Sequence, residues 1–213
     1  AELHAAAGIL GVHRVAFLGY RDSGMADDPA NDHPDCFWQA DVAAAAERLG
    51  GLLDGEDPDL LVVYDPSGGY GHPDHIQVHR VGVRWALAAG GVPVRWVTMN
   101  RDAIRAAIDR AVDEFASGEA TWADEEMLEL RRQRTEADTF GMADDEITHA
   151  VDVTAVIDRK RDAIRAHASQ VAADSFFLSM PDEAFAATFG TEWFVDPGHP
   201  RNGRVQSDDL LLA

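Results

Sequence analysis

Residues 60–89 contain a strand pattern, a tight turn and a helix pattern in direct succession, and this order constrains the fold more than any other part of the chain. Residues 60–64, Leu-Leu-Val-Val-Tyr, are apolar and partly β-branched, which is typical of a buried strand. Residues 76–89 have the apolar content of a packed helix. Pro73 suits the first turn of that helix, because the N–H that proline lacks is not needed there. The segment therefore predicts a strand that passes through a turn directly into a helix.

Similar patterns occur on both sides of this unit. Further strands are predicted at residues 15–18 and 94–99, and further helices at 2–10, 38–53 and 102–115. Strands that alternate with helices of this length indicate βαβ units. We therefore expect an α/β fold with a Rossmann-like, mostly parallel sheet and flanking helices.

The pattern changes after residue 117. Residues 119–139 are strongly charged, and the remaining predicted elements are strands at 147–153 and 191–195 and helices at 156–170 and 181–188. No repeat or low-complexity linker divides the chain. We expect a single α/β domain over residues 1–213, with a Rossmann-like core at 1–116 and a C-terminal elaboration at 117–213.

Charge and composition exclude several classes of function. The chain has 38 acidic and 18 basic residues and a net charge of −20, which argues against nucleic acid as a partner because phosphate binding needs a basic face. No apolar run approaches the roughly 20 residues that span a bilayer, so no membrane partner is expected. Cys36 is the single cysteine, which excludes an intrachain disulfide and is compatible with a cytoplasmic location. A homo-oligomer remains open.

A polar cluster lies in the turn between the predicted strand and helix. His72, Asp74 and His75 fall where ligands bind in open α/β sheets, beyond the carboxyl ends of the strands. Two imidazoles and a carboxylate at that place suggest a metal site or an acid–base site. Two other interpretations stay open: Asp74 caps the helix between surface histidines, or His75 and His79 form a His-x-x-x-His zinc pair.

A second polar segment directly follows the strand predicted at residues 15–18. Arg21 and Asp22 are well placed there for contact with a substrate, and an exposed turn built with Ser23 and Gly24 is the alternative. Residues 33–36, His-Pro-Asp-Cys, lie in a polar loop without a preceding apolar strand. We interpret them as ordinary loop residues and not as a metal site.

Residues 64–75, Tyr-Asp-Pro-Ser-Gly-Gly-Tyr-Gly-His-Pro-Asp-His, resemble a signature of the zinc-dependent N-deacetylases that include the N-acetylglucosaminyl-phosphatidylinositol de-N-acetylases. Residues 18–25, Leu-Gly-Tyr-Arg-Asp-Ser-Gly-Met, are similar to a further loop of that family. Segments at 151–153, 158–161 and 166–170 are similar to its C-terminal strand and helix. The resemblance covers most of the chain and is greatest to the actinobacterial mycothiol-pathway deacetylase and amidase.

The resemblance implies roles for the residues of the turn. His75 matches a zinc ligand, the third of the family's set. His72 matches the histidine that stabilises the tetrahedral intermediate or acts as general acid, and Asp74 matches the carboxylate that orients it. One Zn²⁺ per chain is the implied cofactor.

The resemblance also implies a substrate. Tyr70 matches a tyrosine near the substrate carbonyl, Asp22 matches a sugar-contacting aspartate, and Arg21 assists it. The implied reaction removes an N-acetyl or other N-acyl group from a small molecule that contains an amino sugar, such as N-acetylglucosaminyl-inositol.

One departure from the family concerns its first signature, Ala-His-Pro-Asp-Asp-Glu, which supplies two zinc ligands and the general base and is absent from this sequence. We therefore expect that the first strand, helix and strand of the family are missing and that the chain is part of a longer protein. Two alternatives remain: a deacetylase or amidase of natural-product biosynthesis, and a non-catalytic protein that binds a small molecule.

Overall fold

The computed structural model describes residues 1–118, 125–136, 140–199 and 210–211. Within those ranges the α-helices are α1 (Glu2–Leu10), α2 (Val42–Leu52), α3 (Gly68–Gly71), α4 (Pro73–Ala88), α5 (Arg101–Ser117), α6 (Glu125–Glu136), α7 (Ile157–Arg165), α8 (Phe176–Ser179) and α9 (Asp182–Phe189). The strands are β1 (Leu61–Tyr64), β2 (Val94–Thr98), β3 (His149–Asp152) and β4 (Thr191–Val195). Short 3₁₀ turns occupy Pro29–Asp32, Phe37–Gln39, Asp144–Glu146 and Thr154–Val156.

The four strands form one sheet in the order β1-β2-β4-β3. β1 and β2 are parallel, with Leu61 opposite Val94, whereas β4 is antiparallel to both β2 and β3. The predicted α/β class is confirmed, but the described sheet is mixed and not mostly parallel. Alternation along the sequence predicts the order of elements, whereas strand direction depends on where the chain re-enters the sheet, and either direction satisfies the backbone hydrogen bonds. The sheet includes two strands on each side of residue 116, and the division of the domain there stays a prediction.

The prediction of a strand at residues 15–18 is wrong. These residues have no ladder partner among the described residues, and the nearest bridge joins Arg21 to Cys36. The side chain of Phe17 is 63% exposed. Apolar and β-branched content predicted the strand from side chains alone, but a strand exists only where a neighbouring backbone completes its hydrogen bonds.

Helix boundaries follow local capping more closely than the apolar pattern. α2 begins at Val42, later than the predicted residue 38, because the Asp41 carboxylate accepts a hydrogen bond from the Ala44 N–H at 2.9 Å and caps the helix there. α7 ends at Arg165, before the predicted residue 170. Of the charged segment at 119–139, residues 119–124 and 137–139 lie outside the described residues. Among the described helices, none is both long and apolar enough to cross a membrane.

The main core cluster lies between α2, α4 and the edge of β1. Its buried members are Ala45, Ala46, Val81, Trp85 and Ala86. Small residues on α2 allow close approach to α4, and Leu61 of β1 packs against the same cluster. This packing fixes the axis of α4 relative to β1, so that the first turn of α4 lies beside the carboxyl end of the strand.

Candidate functional site

The turn between β1 and α4 is built around the buried carboxylate of Asp65, whose exposed fraction is 0%. Its Oδ1 accepts hydrogen bonds from the N–H groups of Ser67 and Gly69, each at 2.9 Å, and from the Ser67 hydroxyl at 2.7 Å. Its Oδ2 accepts the hydroxyl of Thr98 in β2 at 2.6 Å. Asp65 therefore shapes the turn and also ties it to the neighbouring strand.

Gly68 lets this turn pack directly against the start of α4. Its φ of 70° lies in the left-handed region, which side chains disfavour. A Cβ at this position would lie 2.8 Å from the backbone nitrogen of Ile76 and 2.9 Å from Cβ of His75. Glycine is thus required both for the backbone conformation and for the close contact that places His75 next to the turn.

His75 is held from two sides. Its Nδ1–H donates to the Gly68 carbonyl at 3.1 Å, and the ring of Tyr64 stacks on it with centroids 4.0 Å apart. Burial lowers the pKa of His75 below its ordinary 6.5, and this outweighs the hydrogen bond to Gly68, which favours the charged ring. His75 is therefore a neutral imidazole with its proton on Nδ1 and its lone pair on Nε2, the form in which imidazole binds a metal ion.

His72 has the opposite tautomer. It precedes Pro73 as the N-cap of α4, and its Nδ1 accepts the Asp74 N–H at 3.1 Å. A nitrogen that accepts a hydrogen bond carries no proton, so the neutral ring has its proton on Nε2. The rings of His72 and His75 stack with centroids 4.7 Å apart. The two histidines therefore offer a donor and a lone pair side by side.

The carboxylate of Asp74 is bound by Ser23. The Ser23 N–H donates to Oδ2 at 3.1 Å, and the Ser23 hydroxyl donates to Oδ1. The bond that the structure describes between Asp74 and His72 comes from the Asp74 backbone. Orientation of His72 by the carboxylate stays a prediction.

Tyr70 lies over the histidine pair with its side chain partly open to solvent. It is 45% exposed, and its ring centroid lies 5.1 Å from that of His75 and 6.1 Å from that of His72, edge-on to both. Burial raises the pKa of the Tyr70 phenol above its ordinary 10.0, so this group is a neutral hydroxyl near neutral pH. The structure therefore brings Tyr70, His72 and His75 together.

Arg21 and Asp22 are exposed on the neighbouring loop. Asp22 Oδ1 accepts the Gly24 N–H at 2.8 Å, so a turn forms here as the alternative interpretation described, but Ser23 within it is buried and only Arg21 and Asp22 are exposed. Arg21 lines an open cavity of about 630 Å³ together with His33 and Arg48. The bond from Ser23, the next residue along this loop, to Asp74 brings the loop to the start of α4.

His79 is held inside the fold. Its Nδ1–H donates to the Tyr64 carbonyl at 2.8 Å, and its ring contacts that of Trp96 edge-on at 5.1 Å. Burial lowers its pKa below 6.5 and outweighs the bond to Tyr64. These contacts support a packing role over the His-x-x-x-His alternative.

Within the described ranges, no group of three or more His, Cys, Asp or Glu side chains is arranged to hold a metal ion. A catalytic zinc usually has three protein ligands. The described residues therefore do not form a complete zinc site on their own, although Nε2 of His75 is suited to be one ligand.

Three residues have contacts in the site that the sequence did not predict: Tyr64, Asp65 and Ser23. Tyr64 is the last residue of an apolar strand, and Ser23 lies next to a residue already singled out. Both positions were visible in the sequence, but their partners His75 and Asp74 are set by the fold.

Comparison with known proteins agrees with the resemblance. The model of the family described as PIG-L, GlcNAc-PI de-N-acetylase, matches residues 1–86. Three relatives carry the name 1D-myo-inositol 2-acetamido-2-deoxy-alpha-D-glucopyranoside deacetylase. The protein of Acidothermus cellulolyticus is 37% identical over 91% of this chain and 65% of its own length. That of Thermobifida fusca is 37% identical over 100% of this chain and 76% of its own length. That of a Mycobacterium species, strain KMS, is 40% identical over 100% and 68%.

The chain thus spans about two thirds to three quarters of the length of these relatives. All three are named as deacetylases, enzymes that hydrolyse an amide C–N bond. The predicted family is confirmed: the chain belongs to the PIG-L family of GlcNAc-PI de-N-acetylases.

Proposed function

We propose that the protein is an amide hydrolase that removes the acetyl group from the N-acetylated amino sugar of a GlcNAc-inositol. The names of the relatives support this reaction and this class of substrate. The observation that carries the proposal is the pair of stacked imidazoles at the end of β1, His72 and His75, which backbone bonds hold in opposite tautomers.

His72 is suited to the developing negative charge of the reaction. Attack of water on an amide carbonyl places charge on the carbonyl oxygen, and a preorganised donor stabilises it. The proton on Nε2 of His72 supplies such a donor, and the helix cap fixes the ring before substrate arrives.

Nε2 of His75 is proposed as a zinc ligand because its partner nitrogen is already committed to the Gly68 carbonyl. The proposal requires further ligands besides the described residues.

The sugar is proposed to bind along the loop of Arg21 and Asp22 and beneath Tyr70. A carboxylate accepts hydrogen bonds from sugar hydroxyls, and a guanidinium donates to them. The ring of Tyr70 combines an apolar face with a hydroxyl, and its partial exposure leaves it within reach of a ligand.

The test is hydrolysis of N-acetylglucosaminyl-inositol by the purified full-length protein, with the free amine and acetate measured by mass spectrometry. Equal release of the two products supports the proposal. Absence of both, in protein shown to contain zinc, overturns it. Turnover restricted to an acylated natural product would indicate a deacetylase or amidase of natural-product biosynthesis. Binding of the sugar without turnover would indicate a non-catalytic binding protein.

A cytoplasmic location is a further proposal. It is supported by Cys36, the one cysteine of the sequence, which is a buried free thiol. Fractionation of cells with an antibody against the protein tests it.

A further inference from the structure

Ser23 joins two parts of the candidate site that are 51 residues apart in the sequence. It follows Asp22 on the proposed sugar-binding loop, and its partner Asp74 lies in the first turn of α4, between His72 and His75. We infer that Ser23 is a positioning residue that sets the sugar-binding loop at a fixed distance from the two histidines. This inference rests on the proposed function and adds a residue that the family resemblance did not assign a role.

Every polar group of Ser23 has a partner. Its N–H and its hydroxyl donate to the two oxygens of the Asp74 carboxylate. Its Oγ also accepts the Trp38 N–H at 2.9 Å, and its carbonyl accepts the side-chain amide of Asn31. Two donors from one residue to both oxygens of one carboxylate restrict rotation as well as distance.

Because Ser23 is buried, loss of these hydrogen bonds is destabilising. Its exposed fraction is 0%. Removal of the hydroxyl leaves a carboxylate oxygen of Asp74 and the Trp38 N–H without this partner, and an unmet buried polar group is destabilising. Because Oγ of Ser23 is the atom that binds Asp74, Ser23→Ala directly weakens the contact between the sugar-binding loop and α4.

Asp74 connects this join to His72. Its carboxylate binds Ser23, and its N–H binds Nδ1 of His72 at 3.1 Å. The path from the sugar-binding side chain of Asp22 to the proton donor of His72 therefore runs through Ser23 and Asp74. Since misplacement by about 1 Å can reduce a rate ~100-fold, this path bears on turnover.

The first experiment compares Ser23→Ala with the matched control Ser117→Ala in the full-length protein. Ser117 lies at the exposed end of α5, where its hydroxyl bonds only the nearby Glu114 carbonyl among the described residues. We expect kcat/KM for N-acetylglucosaminyl-inositol to fall ~100-fold in Ser23→Ala, with a lower kcat as well as a higher KM. We expect the control to match the wild type.

The assay is run well below the melting temperature of each variant, so that folding does not limit the rate. A contact that only stabilises the fold would lower the melting temperature and leave kcat and KM unchanged. That result overturns the inference.

The second experiment asks whether Ser23 acts through Asp74. In the background of Asp74→Ala, the Ser23→Ala change should have little further effect on kcat/KM, because the contact is already lost. A full additional loss in the double variant would show that the effect follows another path and would overturn the inference.

Direct binding separates the inference from the proposed function. Glucosaminyl-inositol, the expected product, is titrated by NMR into the wild type, Ser23→Ala and Ser117→Ala. If the wild type binds it without turning over the acetylated sugar, the deacetylase proposal fails, and weaker binding in Ser23→Ala alone still supports the positioning role. Equal binding by all three overturns the positioning role, and no binding to the wild type overturns both.

Discussion

The ring of Tyr64 lies parallel to the ring of His75, with an interplanar angle of 3° and a centroid distance of 4.0 Å. The last residue of β1 thus covers one face of a histidine on α4. This contact removes water from the imidazole, and burial is the largest cause of its lowered pKa. It also connects the end of the strand to the proposed metal ligand.

Removal of the Tyr64 ring should raise the pKa of His75. In Tyr64→Ala the imidazole gains water, so its pKa should move up toward 6.5, whereas Tyr64→Phe keeps the stacked ring and should keep the lowered value. NMR titration of the His75 ring protons in metal-free protein measures both. A value in Tyr64→Ala equal to that of the wild type would show that the stacked ring is not the source of the shift.

Substitution of His72 should reduce turnover more than binding. His72→Ala removes the Nε2–H donor, and loss of one such donor costs roughly 10²–10³ in kcat. KM for N-acetylglucosaminyl-inositol should change little, and zinc content, measured by atomic emission, should match the wild type. His13→Ala, at an exposed position outside the site, serves as the control. A wild-type kcat in His72→Ala would exclude His72 from the reaction.

His79 should make the fold sensitive to mild acid. Its pKa in the folded chain lies below the 6.5 of the free side chain. As the pH falls through 6.5, the unfolded chain binds a proton that the folded chain does not, so stability is full above that pH and decreases below it. His79→Asn keeps a donor near the Tyr64 carbonyl but cannot titrate. Its melting temperature should therefore fall less than that of the wild type between neutral and mildly acidic buffer, and parallel losses would contradict the assignment.

The turn should depend more on the hydrogen bonds that Asp65 accepts than on its negative charge. Asp65→Ala leaves the buried donors of Gly69 and Thr98 and the half-buried donors of Ser67 without an acceptor, at about 1–3 kcal/mol for each buried group. Asp65→Asn keeps Oδ1, which accepts most of these bonds, and the Thr98 hydroxyl can rotate to accept from the new amide. Urea denaturation should show a much larger loss for Ala than for Asn. Equal losses would mean that the negative charge itself is required.

Position 82 should not accommodate a side chain, because α4 packs directly against β1. A Cβ there would be 2.5 Å from Cγ1 of Val63, so Gly82→Ala should cost about 1–3 kcal/mol through overpacking. Gly8→Ala, in the exposed part of α1 with no atom within 4 Å, is the matched control and should stabilise by about 0.5–1 kcal/mol. Thermal denaturation measures both changes. A neutral Gly82→Ala would show that the helix can move away from the strand.

Local chemistry made several features of this protein readable from its sequence. β1 and α4 were predicted within a few residues, because apolar content, the glycines and Pro73 act over one or two turns of chain. The run from Tyr64 to His75 also identified the family, since it is continuous in the sequence. The histidines, Asp74 and Tyr70 were singled out for the same reason.

Tertiary structure decided what depends on distant partners. Residues 15–18 look like a strand but lack a ladder partner in the described structure, and the sheet is mixed because pairing direction is set by the path of the chain. The contact of Ser23 with Asp74 spans 51 residues, and no local pattern encodes it. The sequence by itself determined which side chains could do chemistry. The fold decided which of them meet, because hydrogen bonds and ring contacts depend on distances that packing alone sets.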